Sequence, residues 1–566
     1  MKAARGNRGD RVLIRMTEPL RSPLDTPNAR RLRRREFLKR TAAAVATGIA
    51  VGVQGAVKAG EIRLSREHLR AVNRRRRITV QYDGYNNLGK DWDEWLKLRF
   101  GWLDAPEVQI DSVWWDVQPL LKGYYPTPPN SLIYEWPDAK TDIVARLVEE
   151  TRKRGLEVFW NHRISEVDLK PPNVGGGWTK EPHPLKKSHP DWVMDTWWPH
   201  GLWDLTVAGV REHKARLLKH VAETYPIDGI QLDFARHVPC LPPGRQWELR
   251  GHVTRFVRMV REMTLDVARR RGRPILLAVR IPRSPAGCRA DGFDVASWAD
   301  QNLVDIFSLG SRSIEVDIEG FRRIVGGRPI KLQPCLDDHH APDGYRSPPI
   351  ETFRGTFANW WQQGADSVMT FNWMAGKDPP ASEVAAYREV GSAATLAGKD
   401  KTFVVERRGG YPWADGYFNH NADAPLPKAL VAGETAKLSV RFADPTSAVD
   451  GKTPEVTLDI VFHGATKDDQ FDVRMNEKRL RSFTRDAAWK DPQIFSSKPT
   501  PASGGRRERY RIDPRQRLTR LSCKVAIDRV KTGVNEVAID WAPVLGREAS
   551  AMVQVEKVEM SVRYSA

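Results

Sequence analysis

Cysteine is scarce in this 566-residue chain. The four present, Cys240, Cys288, Cys335 and Cys523, form no metal-binding spacing. Buried free thiols are the expected state, with a single bridge between Cys240 and Cys288 as the alternative. Nucleic-acid signals are also missing: there is no zinc-finger spacing and no compact basic motif. The net charge of +19 does not replace them. Residues 1–59 carry 14 Lys and Arg against 4 Asp and Glu, more than half of that charge, and the remainder reads as solvated surface. A long apolar run is lacking too. Ala42 to Val57 is rich in Ala and Gly, and is too short and too weakly apolar for a stable membrane span. No internal repeat or low-complexity tract stands out.

What is present begins with Arg34-Arg35-Glu36-Phe37-Leu38-Lys39, ahead of that apolar run. The arrangement resembles a bacterial twin-arginine export signal. It implies a leader over residues 1–59, cleavage after Val57-Lys58-Ala59, export of an already folded chain, and a periplasmic or extracellular location. Met16 is an alternative start.

After a linker at 60–77, residues 78–399 alternate strand-like apolar runs with amphipathic stretches. The strands read as Ile78 to Asp83, Val108 to Val117, Leu156 to His162, Ile227 to Phe234, Pro274 to Ile281, Leu303 to Leu309, Pro329 to Leu336 and Asp366 to Trp373. Helical spacing separates them, most clearly in Thr141 to Gly155 and Gln246 to Arg271. Eight such units fit an α/β fold of the (β/α)8 type, a TIM barrel, whose usual size is roughly 250 residues. Buried parallel strands should read as nearly continuous apolar runs, and most of these do.

Beyond Lys399 helical spacing fades. Short alternating runs punctuated by Gly, Pro and Asn predict an all-β sandwich over 400–566. The polar stretch Lys478 to Gln516 reads as a loop inside it.

Tryptophan is abundant: 17 of 20 lie between Trp92 and Trp373. They suit either a core or flat platforms for sugar rings, since an aromatic face matches the apolar face of a pyranose. A barrel carries its chemistry at the C-terminal ends of its strands. That places Asp83, Asp116, His162, Arg163, Asp233, Arg236, Arg280, Asp337, Asp338, Asn372 and Trp373 among the candidates, with Trp115 beside them and Glu166 in the long loop that follows. Several carboxylates facing one mouth is what glycoside hydrolysis needs, one as proton donor and one as nucleophile or base. Asp233 is the lead carboxylate. Its partner is Asp337 or Asp338, with Asp116 and Glu166 as alternatives. Asp83, Trp115, His162, Arg163, Arg236, Arg280, Asn372 and Trp373 are expected to bind substrate. Asp83 and Asp116 also suit helix caps, and isolated histidines at strand ends more often hydrogen-bond than ligate a metal. No metal or cofactor is expected.

Trp203-Asp204-Leu205-Thr206, Val210-Arg211, Tyr225 and Asp228-Gly229-Ile230-Gln231-Leu232-Asp233-Phe234-Ala235-Arg236, with His189-Pro190-Asp191-Trp192 upstream, resemble the glycosyl-hydrolase-like family 10 of bacterial exported proteins. The resemblance covers the barrel and implies cleavage of glycosidic bonds in a poly- or oligosaccharide, including acidic or cell-wall glycans. The chain departs from that pattern at Phe234, where members often carry a second acid, so the partner of Asp233 is expected from another strand. A non-catalytic carbohydrate-binding barrel is the competing reading. Two other barrel chemistries are disfavoured. An amidohydrolase needs a His-x-His pair where Gln81-Tyr82-Asp83 stands, and a phosphate site needs a Gly-rich loop after the last strands.

Overall fold

The computed structural model describes residues 61–82, 96–97, 99–117, 142–165, 182–196, 198, 200–310, 313–337, 348–373, 381–407, 423–491, 493, 518–543 and 552–564. Eight parallel strands close into a barrel in chain order: β1 (Ile78–Tyr82), β2 (Ile110–Trp115), β3 (Glu157–Arg163), β4 (Gly229–Asp233), β5 (Leu276–Ile281), β6 (Ile306–Leu309), β7 (Lys331–Asp337) and β8 (Val368–Phe371). β8 returns to pair with β1, Ile78 opposite Val368, which closes the ring. Nearly every residue of these strands is buried, the consequence of a sheet covered on both faces.

Strand alternation divides these residues into two cores. Inward-pointing Trp114, Phe159, Leu276, Ala278, Ile306, Cys335, Met369 and Phe371 pack with one another inside the ring. Trp114 and Phe159 stack at 4.4 Å between ring centroids. The stack depends on Gly229, because a Cβ there would overlap the Phe159 ring. The outward-pointing set meets the surrounding helices, chiefly α2 (Ile143–Lys153), α3 (Ala208–Thr224), α4 (Gln246–Arg271), α5 (Val295–Asp300), α6 (Ile318–Val325) and α7 (Ile350–Gln362). Local signals set their ends. Asp142 caps α2 through the Ala145 N–H, and α4 stops at Gly272, whose φ of 68° suits glycine.

The stretch read as a linker contains a short helix, α1 (Arg66–Val72), that closes the N-terminal end of the barrel. Val72 joins the interior apolar cluster. Arg76, just after it, donates to both Glu157 oxygens at 2.7 Å and to the Val72 and Ala71 carbonyls. Nearby, Asp305 takes two hydrogen bonds from Arg261, at 2.6 and 2.7 Å, and lies 2.9 Å from His68 Nε2.

The C-terminal region is built from two antiparallel sheets. In chain order its strands are β9 (Lys401–Val404), β10 (Lys428–Ala429), β11 (Ala436–Phe442), β12 (Pro454–His463), β13 (Gln470–Met475), β14 (Lys478–Arg479), β15 (Thr484–Trp489), β16 (Leu518–Val525), β17 (Gly533–Ala542) and β18 (Gln554–Tyr564). One sheet runs β9-β18-β12-β16-β15, with β10 also on β18, and the other β11-β17-β13-β14. Alternate residues such as Leu458, Ile460 and Phe462 share one apolar core with Leu438, Val440, Val537 and Ile539. The polar stretch from Lys478 is therefore not all loop, since β15 within it pairs with β16.

Barrel and β-region share a packed junction. Gly355 in α7 lets the Thr402 backbone of β9 approach, where a Cβ would clash. Arg283, after β5, donates to the Glu315 carbonyl at 2.9 Å, lies 2.8 Å from Glu406 Oε2, and reaches Asp423 at 3.1 Å. The backbone N–H of Ile314 donates to Glu406 and that of Glu406 donates to Glu315, so the two carboxylates are held reciprocally. Among the described residues no helix is long and apolar enough to cross a membrane.

Candidate active site at the barrel mouth

Parallel register decides which strand-end residues become neighbours. Asp233 is level with Arg163 on one side and Arg280 on the other. Asp116, one residue past β2, sits with its Oδ2 2.5 Å from Arg163 Nε. On the far side Asp337 is level with Phe371. The Arg280 guanidinium lies over the Phe371 ring at 4.6 Å and that of Arg236 at 5.8 Å. The mouth floor is thus a set of alternating acids and guanidiniums, with two of the guanidiniums in cation–π contact with one aromatic face.

Asp233 is held through both of its carboxylate oxygens. Its Oδ1 accepts from the Ala235 and Arg236 N–H groups, both at 3.0 Å, which ties the strand end to the loop after it. Its Oδ2 lies 3.4 Å from Arg280 Nη1, and the same nitrogen donates to Gln81 Oε1 at 3.1 Å. The side chains of Asp233 and Arg280 are both fully buried. Below them a polar relay crosses the interior. Gln231 donates to Ser308, Ser308 to Gln333, and Gln333 to Thr79 and Ser367, all between 2.8 and 3.0 Å.

The loop carrying Arg236 is held from above by the Val193–Met194 and Leu202–Trp203 ribbon. Trp198 in that ribbon donates to the Val238 carbonyl at 3.0 Å and meets His237 edge-on. The four cysteines are free, with no bridge between Cys240 and Cys288. Burial pushes the Cys240 and Cys335 thiols up to about 12, which removes thiolate character near neutral pH.

The sequence-derived set therefore divides. Asp116, Arg163, Asp233, Arg236, Arg280 and Asp337 come together at the mouth. Trp115 and His162 do not, because each follows an inward-facing residue and so points outward. Trp115 donates to Thr151 of α2 and packs on Tyr82 and Phe100, while His162 Nδ1 accepts from Trp160 Nε1 at 3.4 Å. Trp373 lies among Phe353, Phe357 and Tyr387 in the outer layer, although its neighbour Asn372 continues the ladder by donating to the Gln81 carbonyl. Neither Trp115 nor Trp373 offers a stacking face to the mouth. Trp114, Trp115, Trp160, Trp298, Trp360 and Trp373 are all fully buried, which makes them core rather than platforms. Asp83, Glu166 and Asp338 lie outside the described residues.

Phe234 turns outward against Phe293, at 5.2 Å, and Trp298. An acid there would face an aromatic layer, so a partner for Asp233 has to come from another strand. Gln81, Asn161 and Gln231 are inward-facing polar residues outside the sequence-derived set. The available signal was a polar side chain in an otherwise apolar buried strand. Among the described residues, no three His, Cys, Asp or Glu side chains converge as metal ligands would.

No protein-family model and no curated protein matches this chain. Among solved structures, it is similar to an α-amylase from Anoxybacillus, at 11% identity and a TM-score of 0.36, over 84% of this chain and 99% of that one. It is similar to the glycoside hydrolase domain of PelA from Pseudomonas aeruginosa at 10% identity and a TM-score of 0.31, over 53% and 96% of the two chains. A chitinase from Rhizomucor miehei gives 12% identity and a TM-score of 0.33, over 56% and 100%.

Proposed function

We propose that this chain is an exported glycoside hydrolase acting on a poly- or oligosaccharide. The observation that carries the reading is the convergence of Asp116, Asp233 and Asp337 at the C-terminal end of one parallel barrel, interleaved with Arg163 and Arg280. Hydrolysis of an acetal needs a carboxylate facing the developing positive charge at the anomeric carbon and a second carboxyl that protonates the leaving oxygen. Asp233 takes the first role, because two backbone N–H groups and a guanidinium hold it in one orientation. Asp337 takes the second, three strands round the ring from Asp233, with Asp116 beside Arg163 as an alternative. Asp338 is a further alternative donor. Arg163, Arg236 and Arg280 bind and orient the sugar, and would also accept a uronate.

Export rests on Arg34-Arg35 and the Ala42–Val57 run, which support twin-arginine passage and a periplasmic or extracellular destination. Replacing both arginines by lysine should leave the protein in the cytoplasmic fraction, and normal fractionation would sink that part. For catalysis, the mature protein is incubated with an α-1,4-glucan, a chitin oligosaccharide, a polyuronate and peptidoglycan, and reducing ends are counted. Release that disappears in Asp233→Asn and Asp337→Asn variants of unchanged circular dichroism is the expected result. Equal release by Asp233→Asn and the parent would refute the assignment.

One observation favours a second reading, a barrel that binds carbohydrate without cleaving it. Both oxygens of Asp233 are already engaged by protein groups. Binding of the same glycans with no reducing ends released by the parent would select it.

A further inference from the structure

One tier of the barrel interior is incompletely hydrogen-bonded, and it lies directly under Asp233. Asn161 on β3 is level with Gln231 on β4, two residues before the Arg163–Asp233 pair. Both side chains point inward: Asn161 follows Phe159 of the interior cluster by two residues, and Gln231 reaches Ser308 across the ring. Asn161 is fully buried, yet neither Nδ2 nor Oδ1 has a hydrogen-bond partner among the described residues. The same holds for Gln231 Oε1 and for Gln81 Nε2, although Gln81 Oε1 accepts from Arg280.

Two donors and two acceptors are thus left over on three amides, each from a side chain with no exposure. A buried polar atom without a partner costs roughly 1–3 kcal/mol, and native interiors contain few of them. Four such atoms around the buried Asp233–Arg280 pair, three of them on residues level with each other on β3 and β4 and one on the glutamine bonded to Arg280, is a concentration that calls for an occupant. The occupant must donate and accept at once, must be small, and need carry no charge, because Arg280 and Asp233 already balance. Those are the properties of a hydroxyl oxygen.

We propose that Asn161, Gln231 and Gln81 form a hydroxyl-binding site beneath Asp233. It takes either an ordered water or a hydroxyl of a bound pyranose, and through Gln81 it fixes the orientation of Arg280. Asn161, with both amide atoms available, is its centre, and an amide of that kind suits an adjacent pair of sugar hydroxyls. The sugar arm rests on the carbohydrate reading above, while the water arm stands without it.

Two measurements test the site. A crystal structure of the mature protein alone should show an oxygen within hydrogen-bond distance of the Asn161 side chain and Gln231 Oε1. Calorimetric titration of the parent and of Asn161→Leu with maltohexaose and chitohexaose then separates the sources. An affinity loss of about tenfold or more assigns the hydroxyl to the sugar, and parent-like affinity alongside a crystallographic oxygen assigns it to water. No oxygen at the amides, in crystals with or without either glycan, overturns the proposal. So does a higher melting temperature in Asn161→Leu, since removing an amide that had no partner relieves a cost. If the parent binds neither glycan, the carbohydrate reading fails for those sugars, and the crystal of the protein alone still decides the site.

Discussion

The two ends of the barrel both bury an aspartate against an arginine, and they do so in opposite ways. At the N-terminal end Asp305 is saturated: Arg261 supplies two hydrogen bonds below 2.8 Å, His68 stands at 2.9 Å, and the Leu277 N–H donates at 2.8 Å. Burial disfavours its charge, but Arg261 and His68 outweigh that and hold the carboxyl well below the usual carboxylate range. At the mouth, Arg280 approaches Asp233 only to 3.4 Å, and amide atoms next to them lack partners. A closed network holds a fold in place. On the reading proposed above, the mouth instead holds groups for a ligand, in keeping with the division of labour between the two faces of such barrels.

The comparison breaks most directly at Asp233. If the mouth is catalytic, Asp233→Asn lowers the glycan-release rate by about 10³-fold, read as initial rates of reducing-end formation, while the melting temperature falls less than in Asp305→Ala, because the amide keeps the Ala235 and Arg236 hydrogen bonds and the Arg280 contact is the longer one. Asp305→Ala is the counterpart. Leaving Arg261 buried without its partner should cost about 3–5 kcal/mol of stability, measured by urea unfolding. A destabilised Asp233→Asn with a neutral Asp305→Ala would invert the comparison.

The junction with the β-region gives a third, pH-dependent case. Burial pushes the Glu406 carboxyl up to about 8, with Arg283 opposing and Glu315 adding to the rise. A carboxyl whose folded value is raised contributes stability that is full below its unfolded value of 4.5 and lost as pH rises through about 8. Melting temperature should therefore fall across that window, and Glu406→Gln should flatten the fall. An unchanged slope in the variant would place the titration elsewhere. The smallest effect is expected inside the ring. Gly229→Ala forces the Phe159–Trp114 stack to shift, at about 1–3 kcal/mol, read by thermal unfolding.

Much of this architecture was legible in the chain. Eight apolar runs separated by helical spacing predict the barrel, and the strand-end rule selects Asp116, Arg163, Asp233, Arg280 and Asp337. Trp115 and His162 could have been set aside on parity alone: Trp114 and Asn161 occupy the inward positions beside them. Other features were not legible because they depend on contacts across long chain separations. Helix α1 is a short, basic stretch whose value comes from Val72 entering the ring and Arg76 reaching Glu157, 81 residues away. The open amides are of the same kind. Asn161, Gln231 and Gln81 are ordinary polar residues in sequence, and they become unusual only when the ring closes around them.

Local periodicity, turn residues and the position of charge at strand ends were enough to establish a barrel followed by β-sheets, with Asp233 at the mouth. They act over a few residues, so they survive in one dimension. Which group faces Asp233, that Phe234 turns away from the mouth, and that one interior tier stays open while its counterpart at the N-terminal end is saturated were decided by register and ring closure. Those set distances between residues far apart in the chain, and hydrogen bonds and ion pairs depend on distances of a few tenths of an ångström that no linear pattern carries.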